Sequence, residues 1–200
     1  MTRVIAGEAG GRRLAVPAGR DTRPTSDRAR EGLFGTITSI VGTLAGKRVL
    51  DLFAGSGAVG LEALSRGAGH VLLVESGRPA VSAIRANIAA LGLPGAEVVA
   101  DRVERALRLG PGHDAGYDAG YDVVFADPPY AMPDRAVEDV LEALNRYRWL
   151  NPGALVIVER ATRTGPLRWP DGYLHDRARR YGDATFWYGL APRAVALCQE

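Results

Sequence analysis

The chain has 200 residues, 46% of them apolar, which suits one domain with a full core and excludes disorder as the main state. It holds one cysteine, Cys198, and three scattered histidines, His70, His113 and His175, with no apolar run long enough for a membrane span and no secretory signal. Disulfides, a metal centre and a membrane partner are therefore not expected, and a cytoplasmic monomer is the simple reading. Net charge is +2, unevenly placed: residues 1–30 carry seven Arg against three acids, and 160–180 carry six Arg against Asp171 and Asp176. Two basic segments on a near-neutral body fit a polyanionic partner, and fit a solvated Arg-rich surface equally well.

Residues 3–6 and 12–16 are short β-prone runs joined by Gly7, Gly10 and Gly11, which predicts a hairpin. Pro17, Gly19 and Pro24 punctuate a loop. Thr25 or Ser26 can then cap a helix over 27–41, whose apolar face is Ala29, Leu33, Phe34, Ile37, Ile40 and Val41. Arg28 and Arg30 stand off that face, at the helix end where cations oppose the dipole. From Lys47 the pattern alternates. Strands are expected at 48–52, 70–75, 96–100, 121–126 and 154–159, and helices at 57–66, 77–91, 101–109 and 134–147. This is α/β, a doubly wound sheet whose strands are buried on both faces. The segment 110–120 half-repeats Asp-Ala-Gly-Tyr and reads as a surface loop. Residues 173–180 and 184–190 flank Gly182-Asp183 and predict an antiparallel hairpin at the sheet edge. The whole, 1–200, is one domain, with 1–45 an N-terminal extension and 46–200 the core.

The core is organised around Val49-Leu50-Asp51-Leu52-Phe53-Ala54-Gly55-Ser56-Gly57, an apolar strand running into a glycine turn and a helix. Such turns sit at the carboxyl ends of strands, where open α/β sheets bind ligands. Gly55 to Gly60 spells G-x-G-x-x-G, and Glu75 follows twenty residues after Gly55, the pattern of a dinucleotide site. Asp51 opposes that reading, because a carboxylate at the mouth of the turn repels pyrophosphate. It suits a ligand with a positive end, such as the ammonium and sulfonium of S-adenosylmethionine. A strand-end Asp that caps the turn's own amides is the structural alternative.

Asp127-Pro128-Pro129-Tyr130 follows directly on the fourth core strand. Two prolines make the chain stiff and extended and leave carbonyls as acceptors beside the Asp127 carboxylate. Tyr130 adds a flat face. Rigid acceptors with an aromatic platform suit a planar amine, the acceptors holding NH₂ hydrogens while the ring stacks on the base. A simple strand terminator is the bland alternative.

Taken together, Asp51 to Gly57 with Asp127 to Tyr130 resembles the class I S-adenosylmethionine-dependent amino-methyltransferases. Arg23-Pro-Thr-Ser-Asp-Arg-Ala-Arg-Glu-Gly-Leu-Phe34, Gly10-Gly-Arg-Arg-Leu14 and Tyr181-Gly-Asp183 narrow the resemblance to the bacterial family that methylates guanine N2 in 16S rRNA. It runs over about residues 3 to 190. The resemblance implies a Rossmann-like core of seven strands in the order 3-2-1-4-5-7-6 with strand 7 antiparallel, S-adenosylmethionine as cofactor, and 16S rRNA or the assembling small subunit as partner. By the same resemblance Asp51, Phe53, Ala54, Gly55, Ser56, Gly57, Glu75, Ser76, Asp101, Arg102 and Asp127 would bind cofactor. Glu75 would accept both ribose hydroxyls, and Asp101 would accept from the adenine amine or cap a helix. Asp127, Pro128 and Tyr130 would form the catalytic base pocket, with Thr25 nearby. Arg12, Arg13, Arg23, Arg28 and Arg30 would face RNA. Three other readings compete: an NAD-type oxidoreductase, a DNA adenine-N6 methyltransferase, and a non-catalytic RNA-binding assembly factor. The first has no use for Asp127 to Tyr130, and the second lacks room for a DNA-recognition domain.

Overall fold

A computed structural model describes residues 2–17, 26–111 and 120–192. Arg23, Thr25, His113, Cys198 and most of the Gly-rich half-repeat lie outside the described residues. In chain order the elements are β1 (Thr2–Arg3), β2 (Arg13–Leu14), α1 (Asp27–Val41), β3 (Arg48–Leu52), α2 (Ala58–Ser65), β4 (His70–Val74), α3 (Arg78–Leu91), β5 (Ala96–Val99), α4 (Val103–Arg108), β6 (Tyr121–Ala126), α5 (Asp134–Arg146), β7 (Leu150–Ala161), β8 (Leu174–Tyr181) and β9 (Ala184–Leu190).

The main sheet has the order β5-β4-β3-β6-β7-β9-β8, with β9 antiparallel to both of its neighbours and the other pairings parallel. This is the order the resemblance implied. Alternate residues of each buried strand feed two cores. Val49, Leu73, Val123, Phe125, Leu155 and Ile157 pack with α1, α2 and α3 on one face. Leu50, Leu52, Val124, Val156 and Val158 pack with α4 and α5 on the other.

Three expectations need correction. The N-terminal pair is only two residues per strand, because residues 5, 6, 8 and 9 use their amides on α2 and not across the hairpin. Ile5 N–H and Ala6 N–H donate to the Glu62 carboxylate at 2.6 and 3.0 Å, Ala9 N–H donates to Ser65 Oγ at 2.9 Å, and Glu8 N–H to Ser65 O at 2.8 Å. Strand β7 starts four residues earlier than the pattern suggested. It carries Pro152 and Gly153 through a register shift opposite Tyr121 and Val123, a tolerated place for both residues.

The third correction is Arg30, which is fully buried and does not stand off the helix face. Its Nη2 donates to Arg3 O and to Asp27 Oδ1, both at 2.7 Å, and its Nη1 lies 3.9 Å from the buried Glu62 carboxylate. It fastens α1 to the N-terminal strand and α2, so it is removed from the set of RNA-facing arginines. Arg160 shares this fate within the second basic segment: it is buried and donates to Asp134 Oδ1 at 2.7 Å and to Met132 O at 3.0 Å.

Candidate active site

The glycine turn is built on three left-handed residues. Phe53, Gly55 and Gly57 have φ of 59°, 57° and 76°. Glycine takes this conformation freely, but Phe53 pays for it in backbone strain, a local feature that clusters at ligand-binding turns. Gly57 also serves as N-cap of α2, where an added Cβ would meet Leu73 Cδ2 at 2.9 Å.

Two acids hold this turn. Asp51 is buried, and its Oδ2 accepts Gly60 N–H at 2.8 Å in the first turn of α2. Burial pushes its carboxyl up to about 8; the Gly60 bond works against the shift and the Glu75 charge adds to it. Glu75, at the end of β4, accepts Gly55 N–H at 2.8 Å with one oxygen. Its other oxygen accepts Ser76 N–H and Gly77 N–H at 2.8 and 2.7 Å. One carboxylate thus clamps the turns after two adjacent strands. Further along the edge, Asp101 accepts Arg102 N–H at 2.8 Å and lies 3.2 Å from Arg105 Nε. Arg102, and not Asp101, is the N-cap of α4, so the capping role considered for Asp101 is not the one found.

On the other side of β3, the Asp127 N–H donates to Leu52 O at 3.3 Å, which brings the end of β6 against the glycine turn. Pro128 is buried, whereas Pro129 and Tyr130 are exposed, and Met132 N–H closes a turn onto Pro129 O at 2.8 Å. The Asp127 carboxyl is held well above the ordinary carboxylate range, first by burial and then by the charges of Glu159 and Asp51. Asp51, Asp127 and Glu159 therefore lie close together on the α1 face near the carboxyl ends of β3, β6 and β7, Asp127 level with Glu159 and Asp51 two residues lower, opposite Phe125.

Glu159 was not singled out from the sequence. Its signal was there: like Asp51, it ends a buried apolar run, Ala154 to Val158. Beside it opens a cavity of about 460 Å³, lined by Ser26, Arg28 and Ala29 of α1 and its cap, by Tyr130 and Glu159, and by residues 180–184 of the β8–β9 turn. Neither Asp51 nor Asp127 lines it; Asp127 lies near enough to Glu159 for that charge to raise its carboxyl. The two motif segments at the ends of the chain meet at its rim. A Cβ on Gly32 would fall 2.2 Å from the Tyr181 hydroxyl, so glycine at position 32 lets the Tyr181 ring lie directly against α1.

The remaining sequence-derived residues divide. Arg13 and Arg28 are exposed. The Arg12 guanidinium donates to Leu91 O at 2.8 Å and to Ala90 O, where it caps the end of α3. Sequence reading also missed Asn87, which is buried. It exchanges hydrogen bonds with Ala15 N–H and O at 2.7 and 2.9 Å and donates to Ser56 O at 3.0 Å, linking the N-terminal extension to the glycine turn.

With this geometry in place, known proteins decide the family. The model of the family described as "Conserved hypothetical protein 95" matches residues 2–189. The chain belongs to that family. It is similar to the ribosomal RNA small subunit methyltransferase D of Escherichia coli K12, 36% identical over 172 residues, covering 84% of this chain and 80% of the relative. It is also similar to the solved Escherichia coli protein yhhF, with 31% identity, a TM-score of 0.81, and 96% and 98% of the two chains covered. A solved protein from a Thermus species gives 34% identity and a TM-score of 0.74 over 96% of this chain and 99% of its own. The chain is thus a methyltransferase D-like member of the class I S-adenosylmethionine-dependent methyltransferases.

Among the described residues no helix is long and apolar enough to cross a membrane, and no cluster of His, Cys, Asp and Glu is arranged to hold a metal ion.

Proposed function

We propose that this protein transfers a methyl group from S-adenosylmethionine to the exocyclic N2 of a guanine in 16S rRNA, on naked RNA or the assembling small subunit. The observation that carries the reading is the adjacency of two differently built acids. Asp51 supports the glycine turn, and Asp127 begins the Pro-Pro-Tyr corner on the neighbouring strand, where the Asp51 charge helps to hold the Asp127 carboxyl up. The ribosomal RNA activity named for the relatives supports the choice of substrate.

The residues present fit the cofactor. A desolvated acid cluster favours a ligand with ammonium and sulfonium charges over a pyrophosphate, which counts against the oxidoreductase reading. Asp51 and residues 53–57 would hold the methionine end, Glu75 and Ser76 the ribose, and Asp101 and Arg102 the adenine. Glu75 already points both oxygens at the two turns where the ribose would lie. When bound, the cofactor supplies a methyl group made electrophilic by its sulfonium.

The chain's own residues then align the acceptor. Asp127 and the Pro128 carbonyl accept hydrogens of the base amine, which favours its pyramidal form and offsets the positive charge that develops on nitrogen. Tyr130, 45% exposed, offers its ring face for stacking on an unstacked base. The amine proton can leave after transfer, so no tuned general base is needed. Arg13 and Arg28 are exposed members of the phosphate-facing set; Arg12 is exposed too, but its guanidinium is engaged by the Ala90 and Leu91 carbonyls.

Mass mapping of N2-methylguanosine in 16S rRNA from cells with and without the protein tests this reading. Loss of one N2-methylguanosine without the protein is the expected result. An unchanged map would overturn the reading, and loss of N6-methyladenine from DNA would move the activity to the adenine alternative.

A further inference from the structure

We propose that Glu159 is the specificity-determining residue for the acceptor base: its carboxylate accepts the N1–H of guanine while Tyr130 stacks on the ring. This rests on guanine N2 being the acceptor, as argued above, and adds the residue that selects it.

The placement follows from the sheet. Strands β6 and β7 are parallel, with Phe125 opposite Ile157 and Ala126 opposite Val158, so the next residues in line are Asp127 and Glu159. Glu159 falls on the same face as Leu155 and Ile157, under α1, as Asp127 does with Phe125. It is 5% exposed, and it lines the cavity together with Tyr130. The cavity volume is within the roughly 300–1,000 Å³ of small-ligand pockets. Arg28 of α1 and Arg180 of β8 both line the cavity, which suits an anionic nucleotide.

The chemistry fits guanine and rejects its neighbours. N2 and N1 are adjacent on the guanine edge, and both carry hydrogen. With Asp127 accepting from the N2 amine, the acceptor level with it faces N1–H. A carboxylate accepts there strongly, as charge-assisted hydrogen bonds do. Adenine presents a lone pair at N1, and so does 2-aminopurine, which keeps the N2 amine. Either would set a lone pair against a buried carboxylate, and sites built on such a hydrogen bond discriminate steeply.

The test uses RNA substrates identical except for guanine or 2-aminopurine at the mapped acceptor position. We expect the wild-type protein to prefer guanine by at least roughly 100-fold in kcat/KM. Glu159→Gln should shrink that ratio by at least roughly tenfold, because a carboxamide can turn its NH₂ toward the N1 lone pair. Glu159→Ala should lower turnover of guanine RNA and shrink the ratio too. Equal use of both RNAs by the wild-type protein overturns the proposal without any variant. An unchanged guanine preference in both variants, with cofactor affinity retained in calorimetry, also overturns it. If the wild-type protein makes no N2-methylguanosine, the functional reading fails and this inference falls with it. If it does make it and the variants discriminate as before, only the role of Glu159 fails.

Discussion

On the β3–β5 side of the sheet, acids are folded onto the chain's own backbone: Asp51 holds the Gly60 amide and Glu75 holds those of Gly55, Ser76 and Gly77. On the β6–β7 side, Glu159 lines a cavity that Tyr130, α1 and the β8–β9 turn frame, with Asp127 level with it on the neighbouring strand. The first region has its shape before any ligand arrives, because each carboxylate braces a turn. The second is shaped around a space. A transferase with a small diffusing donor and a large acceptor would fit that division, the braced turns serving as donor cradle and the recess admitting the proposed base.

Substitutions should separate the halves. Asp127→Ala should lower methyl transfer by roughly 100- to 1,000-fold, as loss of one group that stabilises developing charge does, with cofactor affinity in calorimetry little changed. Retained turnover would merge the two halves. Glu75→Ala should split the other way. The Gly55, Ser76 and Gly77 amides lose a charged acceptor worth about 1.5–3 kcal/mol per bond, so cofactor affinity should fall by about tenfold or more. Turnover at saturating cofactor should fall far less. Tyr130→Ala should weaken RNA binding by about 1–3 kcal/mol in a filter assay, while Tyr130→Phe keeps the ring and should stay near wild type. Arg28→Glu should reduce the slope of log affinity against log salt by roughly one, and an unchanged slope would place Arg28 away from phosphate.

A pH series sharpens the donor side. Asp51 sits at about 8 in the folded chain against about 3.9 in an unfolded one. Between those values the folded state holds a proton that the unfolded state has released. Its contribution to stability is therefore complete below about pH 4 and is lost as pH rises through about 8. Melting temperature of the free protein should fall from pH 6 to pH 8. The rise produced by a cationic cofactor should be larger at pH 8, with protons released on binding at pH 6 and detected by calorimetry in two buffers. A cofactor effect independent of pH would mean that Asp51 is already ionised.

How much of this could be read in advance depended on whether a residue's role is local. Asp51 and Asp127 were legible because each ends an apolar run beside turn residues, and the strands and helices were legible from periodicity. Arg30 was misread because its partners include Glu62 on another helix, and a lone Arg beside an exposed Arg28 looks like solvent-facing charge. Glu159 also ends an apolar run, but no turn residues follow it directly, and its place level with Asp127 comes from a strand pairing that the sequence does not display. The fit of Tyr181 against Gly32 and the bridging by Asn87 are likewise contacts between distant segments.

The hold that α2 keeps on the N-terminal ribbon is made almost wholly to peptide groups. Glu62 and Ser65 engage residues 5, 6, 8 and 9 through their main chain, whatever side chains those positions carry. Gly7 is the exception, since a Cβ there would lie 1.8 Å from Ser65 O. Mutational tolerance along the ribbon should therefore be broad at half-buried Ile5 and Ala6 and at exposed Glu8, and narrow at Gly7 and at Ala9, which is 2% exposed within the core. That leaves the outward surface of the ribbon open to drift between species while its seat on the enzyme stays put.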